Sequence, residues 1–415
     1  MEEYQVMKKI IALLLALVLV FSLAACAGDT AEDTTTDNNT TTDDAATTDD
    51  TTTDDAATDD TATDDAATDD TAAASDLNVG VFYYTYDDVY ISSVRAALDE
   101  AWAAAGITYT NNDCKNDQAT QNDLISTAVT NGCNLLVVNL VNSGSAEAAQ
   151  KVVELAGDVP VVFFNRAVEG EGQEGTVLGA YENVCFIGTD APEAGHLQGQ
   201  MIGEYLLANY DTVDLNGDGV ISYAMFKGQE GNAEAEYRTQ FGVEDADAVL
   251  TEAGKPALEY FDANNTAKYQ VDQSGAWSTQ AALDYMSTNL SQFNEANGNM
   301  IELVICNNDG MAEGVVKALN AAGYNNADGG TTIPVFGVDA TDSAKTLIAD
   351  GKMTGTVKQD AEGMASAICS VVTSLGQGTA MADSVAAAAA TDAEKFSVAE
   401  GVDTKLYVAY APYTA

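Results

Sequence analysis

The sequence predicts an α/β protein made of two doubly wound parallel-sheet domains with a cleft between them. Short apolar runs alternate with stretches of helical period, the alternation starts afresh near Val220, and polar residues collect directly after the apolar runs. Repeated β-α-β units build parallel sheets, and ligands of such sheets sit beyond the carboxyl ends of the strands.

In the first series LNVGVFYY (77–84), NLLVVNLV (134–141), VPVVFFN (159–165) and VCFIG (184–188) read as buried strands, with helical segments at 92–105, 118–131 and 145–156. The second series is VISYAMF (220–226), ALEYF (257–261), IELVIC (301–306), IPVFGV (333–338) and GTV (355–357). The run ends carry YDDVY (86–90), Asn139, Asn142, Asn165-Arg166 and Thr189-Asp190, then the loop 228–234, Asn307-Asn308-Asp309, Asp339 and Gln359-Asp360. These converge on one predicted crevice of amides, carboxylates, Arg238 and aromatics, without a Gly-rich phosphate loop. Carboxylates accept hydroxyl protons, arginine donates, and aromatic faces cover C–H patches, so the set suits a neutral polyhydroxylated ligand, a sugar above all.

The segment 214–225, DLNGDGVISYAM, places oxygen donors at Asp214, Asn216 and Asp218 with Gly219 next, the first half of a calcium loop. Val220 would offer its carbonyl and Ser222 a hydroxyl or a bound water. The twelfth position, a bidentate glutamate in an EF-hand, is Met225, and a strand begins where the second helix would be. A last carboxylate must therefore come from elsewhere in the chain. The bland alternative is an Asp/Asn/Gly turn, and spacing alone leaves it open.

The first 75 of the 415 residues are not domain material. Lys8 and Lys9 precede an apolar run (10–25) of secretion-signal length, which ends in Leu23-Ala24-Ala25-Cys26 and resembles the lipobox of bacterial lipoproteins. Residues 1–25 are thus expected to be a signal peptide, with Cys26 lipidated as an anchor to the bacterial cell membrane. Between 26 and 75 the chain is almost entirely Thr, Asp and Ala. It has no apolar face to bury and its carboxylates repel, which predicts a disordered tether. Residues 29–70 hold sixteen acids, about a third of the net charge of −49. The acidic remainder argues against nucleic acid as a partner.

Cysteines 114, 133, 185, 306 and 369 are odd in number, lack a CxxC pair and fall partly within apolar runs, so a disulfide framework is not expected. With His196 as the sole histidine, His-rich metal sites are excluded and a His-dependent triad has only that one candidate. Paired carboxylates such as Asp87-Asp88 are the remaining route to an enzyme, through glycoside cleavage.

YDDVY, NDQATQND (116–123), VPVVFFN, DLNGDG, the K-G-x-x-G stretch from Lys227 to Gly231, NND (307–309) and FGVDA (336–340) occur in this order. Together they resemble the periplasmic galactose/glucose-binding proteins of the type I periplasmic-binding-protein superfamily. The match spans about residues 77–360, and the last 55 match poorly. The resemblance implies that Asp88, Asn165, Arg238, Asn308 and Asp339 bond sugar hydroxyls while Tyr90 and Trp277 sandwich the ring. It places Gln359 where the family has asparagine, Asn232 where it has histidine, Glu234 where it has aspartate and Tyr90 where it has phenylalanine. It also supplies Glu302 as the distant calcium ligand beside Asp214, Asn216, Asp218, Val220 and Ser222, the last standing for a glutamine.

The family's three-crossing hinge is expected near Thr189-Asp190, Gln359-Asp360 and the segment 392–405. One lobe would then comprise 76–189 plus about 360–398, the other 190–359 plus about 399–415. The resemblance implies a monomer that is no enzyme, binds a monosaccharide of galactose/glucose type outside the cytoplasm and passes it to the permease subunits of an ABC importer. A second reading is a sensor subunit that presents its closed form to a chemoreceptor or histidine kinase.

Bland readings stand beside several of these assignments. Trp277 opens a helix-like stretch and suits a core anchor. Asp88 and Asp339 suit helix N-caps. Glu234 and Arg238 have the spacing of a surface ion pair.

Overall fold

A computed structural model describes residues 76–170, 172–326 and 329–415. The signal segment, Cys26 and the acidic stretch to residue 75 lie outside the described residues. The first sheet gathers β1 (Asn78–Tyr83), β2 (Thr108–Asp113), β3 (Leu135–Val138), β4 (Val161–Phe164), β5 (Val184–Gly188), β12 (Phe396–Val398) and β13 (Lys405–Val408) in the order β12-β13-β5-β4-β3-β1-β2. The second gathers β6 (Ser222–Lys227), β7 (Glu259–Tyr260), β9 (Leu303–Cys306), β10 (Val335–Asp339), β11 (Gly355–Gln359) and β14 (Tyr410–Thr414) as β14-β11-β10-β9-β6-β7, with β8 (Gln270–Val271) also on β6. Among the described residues only β12 and β14 run antiparallel to their neighbours.

Each lobe repeats one plan, in which the first strand lies between the second and the third. The switch points fall between β1 and β3 and between β6 and β9, where such sheets bind ligands. The central strands are continuous apolar runs because helices cover both faces. The first sheet is packed by α1 (Val89–Ala105), α2 (Gln118–Thr130), α3 (Ala146–Ala156), α9 (Ala361–Gly376) and α10 (Met381–Ala389). In the second lobe α4 (Ala191–Val213) and α5 (Ala233–Glu252) pair on one face. The other face takes α6 (Thr279–Gln292), α7 (Asp309–Ala321) and α8 (Asp342–Ala349). Helices α4 and α5 lie close because α4 presents Gly195, Gly199 and Gly203 to Tyr237, Phe241 and Val249, where any Cβ would collide.

The chain passes between lobes at Thr189-Asp190, between β5 and α4, and at Gln359-Asp360, between β11 and α9. The third passage corrects the sequence reading. It lies at Ala409, between β13 in the first sheet and β14 in the second, so residues 399–408 belong to the first lobe. The segment 392–405, expected to cross, instead holds β12 and the turn of a β12-β13 hairpin that extends the sheet edge. Among the described residues Cys114, Cys133, Cys185, Cys306 and Cys369 are free, and all but Cys369 are buried.

Candidate functional site

The ten residues Asp88, Tyr90, Asn165, Asn232, Glu234, Arg238, Trp277, Asn308, Asp339 and Gln359 all line one cavity between the lobes. Tyr84, Ile91 and Arg166 complete its wall. The first lobe contributes from the ends of β1 and β4, the second from the ends of β6, β9, β10 and β11.

Helix capping fixes the polarity of this wall. Asn232 caps α5 by accepting from Ala235 N (3.1 Å), and Asn308 caps α7 by accepting from Met311 N (2.9 Å). Asn165 Oδ1 accepts from Asn139 Nδ2 (3.2 Å), and Gln359 Oε1 accepts from Arg238 Nη2 (3.2 Å). Each amide oxygen is thereby engaged within the protein, and the NH2 groups are left to donate toward the cavity. Buried and unpartnered beside them are Gln359 Nε2, Arg238 Nε and Trp277 Nε1, all donors. The acceptors are three carboxylates, Asp88, Glu234 and Asp339.

Asp88 caps α1, with Oδ1 accepting from Ile91 N (2.8 Å) and Oδ2 from the Tyr84 hydroxyl (2.7 Å). Capping and cavity lining thus coincide in one side chain. Asp339 is no cap, since Thr341 caps α8. Its backbone sits at φ 129°, a conformation costly for a residue with a Cβ, and its Oδ2 is buried without a partner. Burial pushes its carboxyl well above the usual range, the neighbouring Asp309 adds to this, and Arg238 opposes it. Asp309, fully buried behind it, is raised to about 7, chiefly by burial, while bonds from Thr356 Oγ1 (2.7 Å) and Thr341 N (2.8 Å) act the other way.

The surface ion-pair reading of Arg238 does not hold. Its guanidinium is buried and donates to Asn307 O (2.9 Å), Gln359 Oε1 and the Tyr410 hydroxyl (2.9 Å), not to Glu234. Trp277 precedes α6 at φ 58° and borders the cavity with its ring on Gly228, where a Cβ would overlap the indole. The core-anchor reading is therefore incomplete. Asp87 is exposed and does not line the cavity with Asp88, so the two do not form a facing carboxylate pair.

Sequence reading assigns no ligand role to Tyr84 or Ile91, and places Arg166 at the crevice without assigning it one. Tyr84 is buried in the FYYTY cluster, and the Arg166 guanidinium lies over its ring at 4.1 Å. Arg166 also donates to Leu140 O (2.7 Å) and, across the cleft, to Gln229 Oε1 (2.7 Å). Asn116 Nδ2 donates to Ser274 O (3.0 Å), a second bond between lobes. The lobes are in contact, and the form is a closed one.

At the far side of the second lobe, Glu302 is fully buried and receives Leu215 N (2.7 Å) and Asn216 N (3.1 Å) on one oxygen and Ser222 N (2.9 Å) on the other. Burial raises its pKa, and Asp214 beside it adds to this. Asp214 Oδ2 accepts from Gly219 N (2.9 Å), while its Oδ1 is buried without a partner. Asp218 spends its oxygens on Val220 N (2.9 Å) and Asn216 Nδ2 (3.0 Å), and Ser222 Oγ donates to Met300 O. No three acidic, thiol or imidazole groups among the described residues converge at metal-binding distance. The all-oxygen donor set and the orphaned Asp214 oxygen fit a hard cation.

Residues 79–380 match the family model of a periplasmic binding protein domain. The chain is 33% identical over 306 residues to the D-galactose/methyl-galactoside binding periplasmic protein of Haemophilus influenzae, covering 74% of this chain and 83% of that one. Among solved structures, an ABC transporter solute binding protein of Clostridium phytofermentans with bound β-D-glucose superposes with a TM-score of 0.58 at 21% identity, covering 81% of this chain and 94% of that one. One from Bacillus halodurans with bound myo-inositol gives a TM-score of 0.58 at 20% identity, covering 83% and 96%. The chain belongs to the periplasmic binding protein family, whose members are extracytoplasmic solute binders of ABC transporters and not enzymes.

Proposed function

We propose that this protein captures a monosaccharide of galactose/glucose type between its lobes and delivers it to an ABC importer. The observation that carries the reading is the wall itself, where amide and guanidinium donors with fixed orientation stand among three carboxylate acceptors. A sugar hydroxyl accepts from one and donates to the other, and satisfies both at once. The names of the Haemophilus influenzae and Clostridium phytofermentans proteins support a hexose.

In this reading Asp88, Asn165, Asn232, Glu234, Arg238, Asn308, Asp339 and Gln359 bond the hydroxyls, and Tyr90 and Trp277 cover the two ring faces. Glu234 and Asn232 lie at the start of α5 and set the epimer choice. Asp214, Asn216, Asp218, the Val220 carbonyl, Ser222 and Glu302 hold one structural Ca²⁺, which supplies charge neutralisation for Asp214 and the buried Glu302. Lipidated Cys26 and the acidic tether hold the binder at the membrane. Isothermal titration with D-glucose, D-galactose and D-xylose tests the reading. Saturable one-to-one heat with at least one hexose is expected, and no heat with any of them rejects it.

A further inference from the structure

The hydroxyl of Tyr410 lies outside the span that matches the family model, at the third passage between the lobes. It accepts from Arg238 Nη2 at 2.9 Å and stands 2.8 Å from Thr189 Oγ1 at the first passage. The same Arg238 nitrogen reaches Gln359 Oε1 at the second passage. Tyr410, Thr189, Gln359 and Arg238 are all at least nine-tenths buried. Because the phenol oxygen accepts from a permanent cation, its own proton is free for Thr189. All three interlobe passages are thus joined through one guanidinium, which keeps Nε unpaired beside the cavity.

From this geometry we infer that Tyr410 is a positioning residue that ties the hinge to the ligand site. It holds Arg238 in the orientation that faces the ligand, and it locks the first and third passages together when the lobes are shut. The inference rests on the proposed sugar site for its ligand arm and stands without it for its hinge arm. A bond buried in this way gains strength from its neighbours in the network. Opening the hinge strains Tyr410–Thr189 and so disturbs Arg238, while a ligand that engages Arg238 Nε holds the same network in place.

Two measurements on the full chain test this. In the ligand-free protein, hydrogen exchange of Tyr410→Phe is compared with wild type. Faster exchange is expected at all three passages, around Thr189, Gln359 and Ala409, and acceleration confined to β14, or none, overturns the hinge arm. Titration with D-glucose and D-galactose reads the ligand arm, where Tyr410→Phe is expected to bind about tenfold more weakly, the loss of one charge-assisted bond. Thr189→Val should share part of that loss and Thr189→Ser should retain wild-type affinity. Equal affinity of Tyr410→Phe and wild type, or failure of the serine to rescue, overturns the ligand arm. Wild type that binds neither sugar counts against the proposed function, and exchange still decides the hinge arm.

Discussion

Tyr84 shows how much of a binding wall is set by residues that read as packing. Its hydroxyl donates to Asp88, its ring supports Arg166, and its backbone N–H donates to Asn139 Oδ1 (3.2 Å), whose amide in turn orients Asn165. Burial and the Asp88 carboxylate push its phenol far above the ordinary range, so it remains a donor. A hydrogen bond to a charged group is worth about 1.5–3 kcal/mol. Tyr84→Phe removes that bond from the ligand-free fold as well, so it should lower ligand-free melting and, by freeing Asp88, weaken hexose binding by about tenfold in a calorimetric titration. Gly228→Ala should also weaken it, by displacing Trp277 from the cavity edge. The cavity-lining amides and aspartates were legible because they stand at strand ends with short polar side chains. Tyr84 was not, because a buried tyrosine in an aromatic cluster carries no sign of what its hydroxyl meets. Tyr410 was hidden for another reason, since the family likeness fades before it.

At the scale of elements, the apolar strands announced themselves and the polar ones did not. TYTNND forms edge strand β2, half-exposed, with no apolar run to mark it, and the hairpin β12-β13 escaped for the same reason. The Ala-rich residues 381–389 carry no clear pattern in the sequence and form helix α10, which alanine propensity favours and whose Val385 and Ala388 reach the core. The loop at 214–222 yields a sharper expectation. Calcium that binds only the folded loop raises the melting temperature by mass action. Chelator should lower it, added Ca²⁺ should restore it, and Glu302→Gln should abolish the response. Melting that ignores both additions would count against a metal.

The corner between β10 and α8 rests on Asp309, and its titration has a definite sign. A buried acid whose folded pKa is raised to about 7 gives stability that is complete below its unfolded value and lost as pH rises through 7. Ligand-free melting should fall between about pH 4 and 7 and level off above, and Asp309→Asn should flatten that slope. An unchanged slope would remove Asp309 as its source.

For the whole molecule, the internal repetition was the most legible feature, because two series of buried strands need two sheets and leave their polar ends facing one gap. The interlobe passages were legible only where a strand end marked them. Closure is held in this form by Arg166–Gln229, Asn116–Ser274 and the Tyr410 network. A ligand that touches both lobes adds to these bonds only when the cleft is shut, and so shifts the population toward closure. Trp277 reports on that event from within the cavity, whereas Trp102, fully buried in the first-lobe core, gives a constant background. The most direct measurement is therefore a titration of tryptophan emission with D-glucose and D-galactose. A saturable change that disappears in Asp339→Ala is the predicted result, and emission indifferent to both sugars, or a response that survives the substitution undiminished, would contradict a sugar held between the lobes.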